Sequence, residues 1–253
     1  VTVANSQQTA SRLAAVARSI LSCPADVRLV VDGVDDVTAG LLEDPAEGGD
    51  VDGEDGLDLR DVDGRPVFAC PAGAPLAQAA ADGRNALLTL TSGLGRPGSA
   101  ARAASIVLAG RLAVADREEC PCCDRVRDTV CLELDYVLLT RTRPSGERAQ
   151  DRVPLAEYVS PAHRLNRGFL QRSAEHANRC HQDELRRAVS STTGTRVRDI
   201  GGVHLTDLRP DRVEVQWVDL TGAHSRMLAF GRAATSAAEL GELLRDHLHS
   251  GIC

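Results

Sequence analysis

The chain has 253 residues, 43% hydrophobic and 26% charged, with a formal net charge of -7, which suits one large or two small soluble domains and excludes electrostatic nucleic-acid binding. Its cations are all arginine, so a Schiff-base lysine, a lysine-anchored pyridoxal phosphate and a P-loop lysine are excluded. No apolar run approaches the roughly 20 residues of a spanning helix, residues 1–11 lack the pattern of a signal peptide, and eight cysteines are too sparse for a disulfide scaffold; a cytoplasmic, reduced protein with no membrane contact is expected.

Residues 11–21 read as a helix with Leu13, Val16, Ala17, Ile20 and Leu21 on one face, ended by Cys23-Pro24. A strand is expected at 27–31. Residues 43–64 are glycine-rich and acidic, with ten acids against Arg60 up to Asp63, so the rest of the chain carries about +2. This stretch reads as a solvated insertion. Its DVDGED core has Asp55 where a calcium loop needs the turn glycine, which argues against calcium. Strands follow at 66–70 and 86–91, around a small helix at 74–82. Three longer strand-like runs cover 104–115, 129–143 and 152–158. Strands outnumber helices and short loops join them, so residues 1–160 are expected to form an antiparallel closed or partly closed barrel.

Residues 163–171 read as a linker. The segment 173–189, SAEHANRCHQDELRRAV, has Ser173 as N-cap and Ala174, Ala177, His181, Leu185 and Ala188 at helical spacing, which places His181 on the apolar face of one continuous helix. Asn178, three residues earlier, is in reach to orient it. His176 and His181, five apart, fall about 140° apart on such a helix, so one must look away. Strands at 196–205, 212–219 and 224–230 form a meander, and Ser236 to Glu239 is a capping box opening a helix whose stripe is Leu240, Leu243, Leu244, His247 and Leu248. The fold class is thus α+β: an N-terminal antiparallel, closed or partly closed β-barrel (1–160), which the resemblance below makes a split β-barrel, followed by a small helix-three-strand-helix domain (161–253).

In order along the chain, GRPVFACP, NALLTLT, SIVLAGRLAVAD, LELDYVLLTRT and VPLAEYV resemble the pyridoxamine phosphate oxidase-like, FMN-binding split barrels. The helix pattern His176, Asn178, His181, Leu185 resembles that of the small domain accompanying such barrels in HugZ-type haem-utilisation proteins and in proteins that bind tetrapyrrole-pathway enzymes. The resemblance implies a homodimer of packed barrels with haem or, alternatively, FMN near the interface, and a tetrapyrrole-pathway enzyme as a possible partner. Three features depart from it, one being the acidic stretch 43–64, which has no counterpart in the family. PAGAPLAQAAADG lacks the cations that hold a flavin phosphate, and the domain order is reversed relative to haem-degrading members, so their tail histidine has no counterpart.

The resulting candidate site comprises His181 and His247 as paired axial ligands to haem iron, with His176 and Asn178 beside them and Arg102 and Arg111, on the strand bordering the barrel interface, for propionates or phosphate. Haem binding without turnover is the leading expectation; a flavin-dependent oxidoreductase and a non-catalytic interaction protein are the alternatives. Cys120, Cys122 and Cys123, with Cys131 nearby, lack the second ligand pair of a zinc site and read as incidental loop cysteines. Gly93, Gly95 and Gly98 satisfy GxGxxG, but Pro97 and the strand that follows disfavour a dinucleotide site.

Overall fold

The structure, a computed structural model, describes residues 2–39, 41, 57–119, 126–143 and 145–250. The chain divides into two compact units, residues 1–163 and 164–253.

The first unit contains α1 (Thr2–Ser22), β1 (Pro24–Val31), β2 (Leu59–Val62), β3 (Arg65–Pro71), α2 (Pro75–Ala81), β4 (Asn85–Ser92), β5 (Ser105–Glu119), β6 (Val126–Thr142), β7 (Arg148–Arg152) and α3 (Leu155–Tyr158). All strand pairs are antiparallel in the order β1-β4-β5-β6-β3-β2, and β7 pairs with the end of β6. The fold is α+β, with a curled half-barrel sheet. Strict alternation places Leu88, Leu90, Ile106 and Leu108 on its inner face, against Ala17 and Ile20 of α1 and Leu76 of α2.

Three expectations are corrected here. Helix α1 extends back to Thr2, well beyond 11–21. Most of the acidic stretch 43–64, including its DVDGED core, lies outside the described residues, but its end is β2, which forms a hairpin with β3 through Asp63 and Gly64. The run 152–158 is not a strand: Pro154, which has no N–H to donate, is the N-cap of α3, and the pairing strand is the polar RAQDR before it.

A buried ion pair ties α1 to the β2–β3 hairpin. Arg18 is 2% exposed; its guanidinium lies 3.2 Å from the Asp61 carboxylate and donates to the Tyr158 carbonyl at 3.2 Å. Asp61 also accepts from Ser22 Oγ at 2.6 Å and from the Gly64 amide at 2.7 Å. Gly64, at φ +89°, leaves room that a Cβ would take from the Arg18 guanidinium. Burial pushes the Tyr158 hydroxyl above the ordinary tyrosine range and holds His163, beside Arg18, below the ordinary histidine range.

The second unit contains α4 (Arg167–Cys180), α5 (Gln182–Thr193), β8 (Ile200–Arg209), β9 (Arg212–Asp219), β10 (Gly222–Ala229) and α6 (Ala237–Ser250). Its sheet has the order β10-β9-β8 and packs Val203, Leu205, Val213 and Val215 against Leu185, Val189 and Leu240. The expected linker 163–171 is largely helix, because Asn166 rather than Ser173 is the N-cap, its side chain accepting from the Phe169 amide at 3.0 Å. Ser173 instead donates back to the Phe169 carbonyl within α4. At α6, the Ser236 hydroxyl accepts from the Glu239 amide, but the Glu239 carboxylate takes the Thr235 amide and hydroxyl, one residue earlier than a capping box requires.

Candidate functional site

The helix expected over 173–189 is broken at His181, which is the C-cap of α4 and the N-cap of α5, with φ -120° and ψ 30°. Neither Pro nor Gly causes the kink. Gln182 does so by inserting its side chain into the helical ladder: its Nε2 donates to the Asn178 carbonyl at 2.7 Å and to the Val203 carbonyl at 2.7 Å. His181 therefore leaves the apolar stripe and is half exposed, 3.9 Å from Glu184. The kink also brings His176 and His181 together, edge to face at 5.2 Å between ring centres, where a continuous helix would separate them. Among the described residues no three His, Cys, Asp or Glu side chains converge as metal ligands.

Asn178 does not orient His181. Its amide is spent on strand β8, donating to the Leu205 carbonyl at 3.0 Å and accepting from the Leu205 amide at 2.7 Å, with His204 Nε2 at 3.4 Å. Gln182 does the same at Val203, and Arg186 donates to the Gly201 carbonyl at 3.1 Å. Residues four apart on a helix rise about 6 Å; residues two apart on a strand advance about 6.7 Å. The row Asn178, Gln182, Arg186 thus matches Leu205, Val203, Gly201 and closes the free edge of β8. Sequence reasoning missed Gln182 and Arg186; the signal was the i, i+4 row of polar side chains that continues from Asn178. Replacing Asn178 by alanine is expected to cost about 1–3 kcal/mol, because two backbone groups of Leu205 lose their partners. Amide hydrogen exchange should show Leu205 opening faster, with β9 amides unchanged.

His247 has a different setting. Its Nδ1 lies 2.9 Å from the Leu243 carbonyl oxygen, one turn earlier on α6. A carbonyl can only accept, so the ring proton is held on Nδ1 and the Nε2 lone pair is left available. Among the described residues Nε2 has no hydrogen-bond partner, and the Phe230 ring packs on the imidazole at 5.2 Å. The histidine lines a small cleft of about 50 Å³, partly open to solvent, whose walls include Val189, Val215, Trp217, Leu228 and Leu248 and to which Arg226 also contributes. That size is well below the roughly 300–1,000 Å³ of sites that enclose a small molecule, so the cleft is a shallow apolar surface beside His247 and not an enclosing pocket. Trp217, the chain's single tryptophan, was not singled out from sequence; it stacks on His224 at 5.1 Å and forms one wall.

His181 is not part of this lining, so the expected pairing of His181 with His247 is not made within the cleft. The two arginines sit in the first unit. Arg102 is in the turn before β5, not on the strand, and donates to the Gly93 carbonyl at 2.6 Å. Arg111 is on β5, exposed, with its aliphatic stem near Gly83. The glycines 93–98 form a loop between the antiparallel strands β4 and β5, with no helix opening at Gly98, which removes the dinucleotide reading. Helix α2 carries no cation, and Arg84 beyond it pairs with Asp82 at 3.3 Å. Cys120, Cys122 and Cys123 lie outside the described residues, whereas Cys131 is buried in β6 with its thiol pushed up by burial. No helix among the described residues is long and apolar enough to cross a membrane.

A fit of haem can be judged on these residues. A haem-ligating histidine needs one free ring nitrogen, a partner for the other, and an apolar wall for the macrocycle. His247 supplies the free nitrogen and the partnered one, and the cleft supplies an apolar surface beside them; at about 50 Å³ it does not enclose a macrocycle, which would have to lie across its open side.

No family model matches the sequence, and no curated protein matches it. Among solved structures, the chain is similar to the heme binding protein from Mycobacterium smegmatis, at 14% sequence identity and a TM-score of 0.37, over 94% of this chain and 97% of that chain.

Proposed function

We propose that the chain binds haem, or a related iron tetrapyrrole, through Nε2 of His247. The observation that carries this reading is the fixed tautomer: the Leu243 carbonyl holds the proton on Nδ1 and leaves Nε2 as a ligand at the wall of an apolar cleft. Haem supplies an iron that takes a neutral imidazole as its axial base. Val215, Trp217, Leu228 and Leu248 would offer an apolar surface to a bound macrocycle, and Phe230 limits rotation of the imidazole. The resemblance of the segment HANRCHQDEL to haem-utilisation-associated domains supports the same class of ligand. Binding, not turnover, is the function proposed.

Titration of the full chain with hemin tests this, with free flavin mononucleotide as the control. Saturable binding of one hemin per chain is expected. His247→Ala should weaken it at least about tenfold, equivalent to about 1.4 kcal/mol. His176→Ala and His181→Ala should leave it unchanged. Equal affinity in all four proteins would refute His247 as the ligand.

A further inference from the structure

The two edges of the second unit's sheet are treated differently. The edge of β8 is closed by Asn178, Gln182 and Arg186, whereas β10, with eight residues and a largely exposed pattern, ends the sheet on the other side. Natural sheets protect such edges or use them. The hydrogen-bond alternation fixes which groups β10 presents. Val203 and Leu205 point their backbone groups away from β9, so Gly202, His204 and Thr206 bond to Val218, Gln216 and Glu214. Then Val213, Val215 and Trp217 bond to Leu228, Arg226 and His224, and Ala223, Ser225 and Met227 point their N–H and C=O groups outward.

We propose that the β10 edge pairs antiparallel with β10 of a second copy of this chain, with Ser225 opposite Ser225 and Ala223 opposite Met227. This inference does not rest on haem binding. Three observations select a second copy and this register. Met227 and Val218 are 49% and 54% exposed on the sheet face away from α5 and α6; pairing sets each Met227 beside Ala223 of the other copy, next to Val218, in one apolar row. The neighbouring face-matched register centred on Arg226 would set Arg226 directly against its own copy, a like-charge pair. The chosen register sets Arg226 opposite His224, whose Nε2 lies 3.0 Å from Asp219 Oδ1. Hydrogen bonds from Thr221 and His224 hold the Asp219 carboxyl far below the usual range, so it stays anionic to meet the guanidinium. The complementarity occurs twice, related by the two-fold axis.

Residue-resolved amide exchange of the full chain over a range of protein concentrations tests the pairing. The outward amides of Ala223, Ser225 and Met227 should become protected as concentration rises, by at least about tenfold, while β9 amides stay constant. Ser225→Pro removes one outward donor without touching the β9 ladder; it should abolish the concentration-dependent protection at Ala223 and Met227 and leave β8 and β9 protected. Exchange at these three amides that is fast at every concentration, or protection that does not change with concentration, would overturn the proposal. So would protection that persists in Ser225→Pro. If Ser225→Pro loses β9 protection, Arg226→Glu takes its place: it sets a carboxylate against Asp219 and should abolish the same concentration dependence, and its persistence would equally overturn the proposal.

Discussion

Asp61→Ala is expected to lower the stability of the first unit by about 3–5 kcal/mol, the largest loss anticipated for any exposed-loop or strand-end substitution. Arg18 is 2% exposed and Asp61 11%, so removal of the carboxylate leaves a guanidinium in the core with the Tyr158 carbonyl as its remaining acceptor among the described residues. Ser22 Oγ and the Gly64 amide lose their acceptor at the same time. The cost arises from the stranded charge more than from the lost attraction. A double replacement of Arg18 and Asp61 by apolar residues of similar volume should therefore be much less harmful than Asp61→Ala alone. Urea unfolding followed by circular dichroism checks this, and a loss under about 1 kcal/mol in the single variant would mean that water reaches Arg18.

Gly110→Ala is the second large effect. The β5–β6 ladder pairs Ala109 with Tyr136 but Gly110 with Leu134, so Asp135 is the extra residue of a β-bulge. A Cβ at Gly110 would overlap the Glu133 carbonyl, which is backbone in a neighbouring strand and has no rotamer to escape into. Relief requires moving β6, the strand on which β3, β5 and β7 all pair. A loss of at least about 3 kcal/mol is expected, at the upper end for overpacking. Gly98, where a Cβ meets nothing within 4 Å, is the matched control: its alanine variant bears only the strain of φ +79°. Thermal unfolding of the two variants side by side decides the matter, and equal melting temperatures would show that the bulge relaxes.

The strands with strong alternation were legible in the sequence, because period-two burial in NALLTLT and SIVLAGRL requires no knowledge of the partner. The polar strand β7 was not, because RAQDR has no apolar face and owes its pairing to β6. At the second unit, the apolar stripe of α5 was read correctly at Leu185 and Ala188, yet His181 was misassigned. Periodicity cannot show a kink whose cause, Gln182 bonded to Val203, is tertiary. The same applies to Asn178, whose polar type announced a hydrogen bond but not that a strand edge would take it. His247 sits on the predicted stripe and lines the cleft beside Leu248; its tautomer became readable only with the Leu243 carbonyl in place.

Chemical rescue tests the haem account most directly. His247→Gly opens a space the size of the imidazole beside the cleft and removes the ring nitrogen proposed as the iron ligand. With hemin present, this variant should lack the Soret band of the wild-type complex, and added imidazole should restore both the band and one-to-one stoichiometry. A wild-type spectrum in His247→Gly without imidazole would contradict the account, as would a wild-type chain that shows no saturable change with hemin.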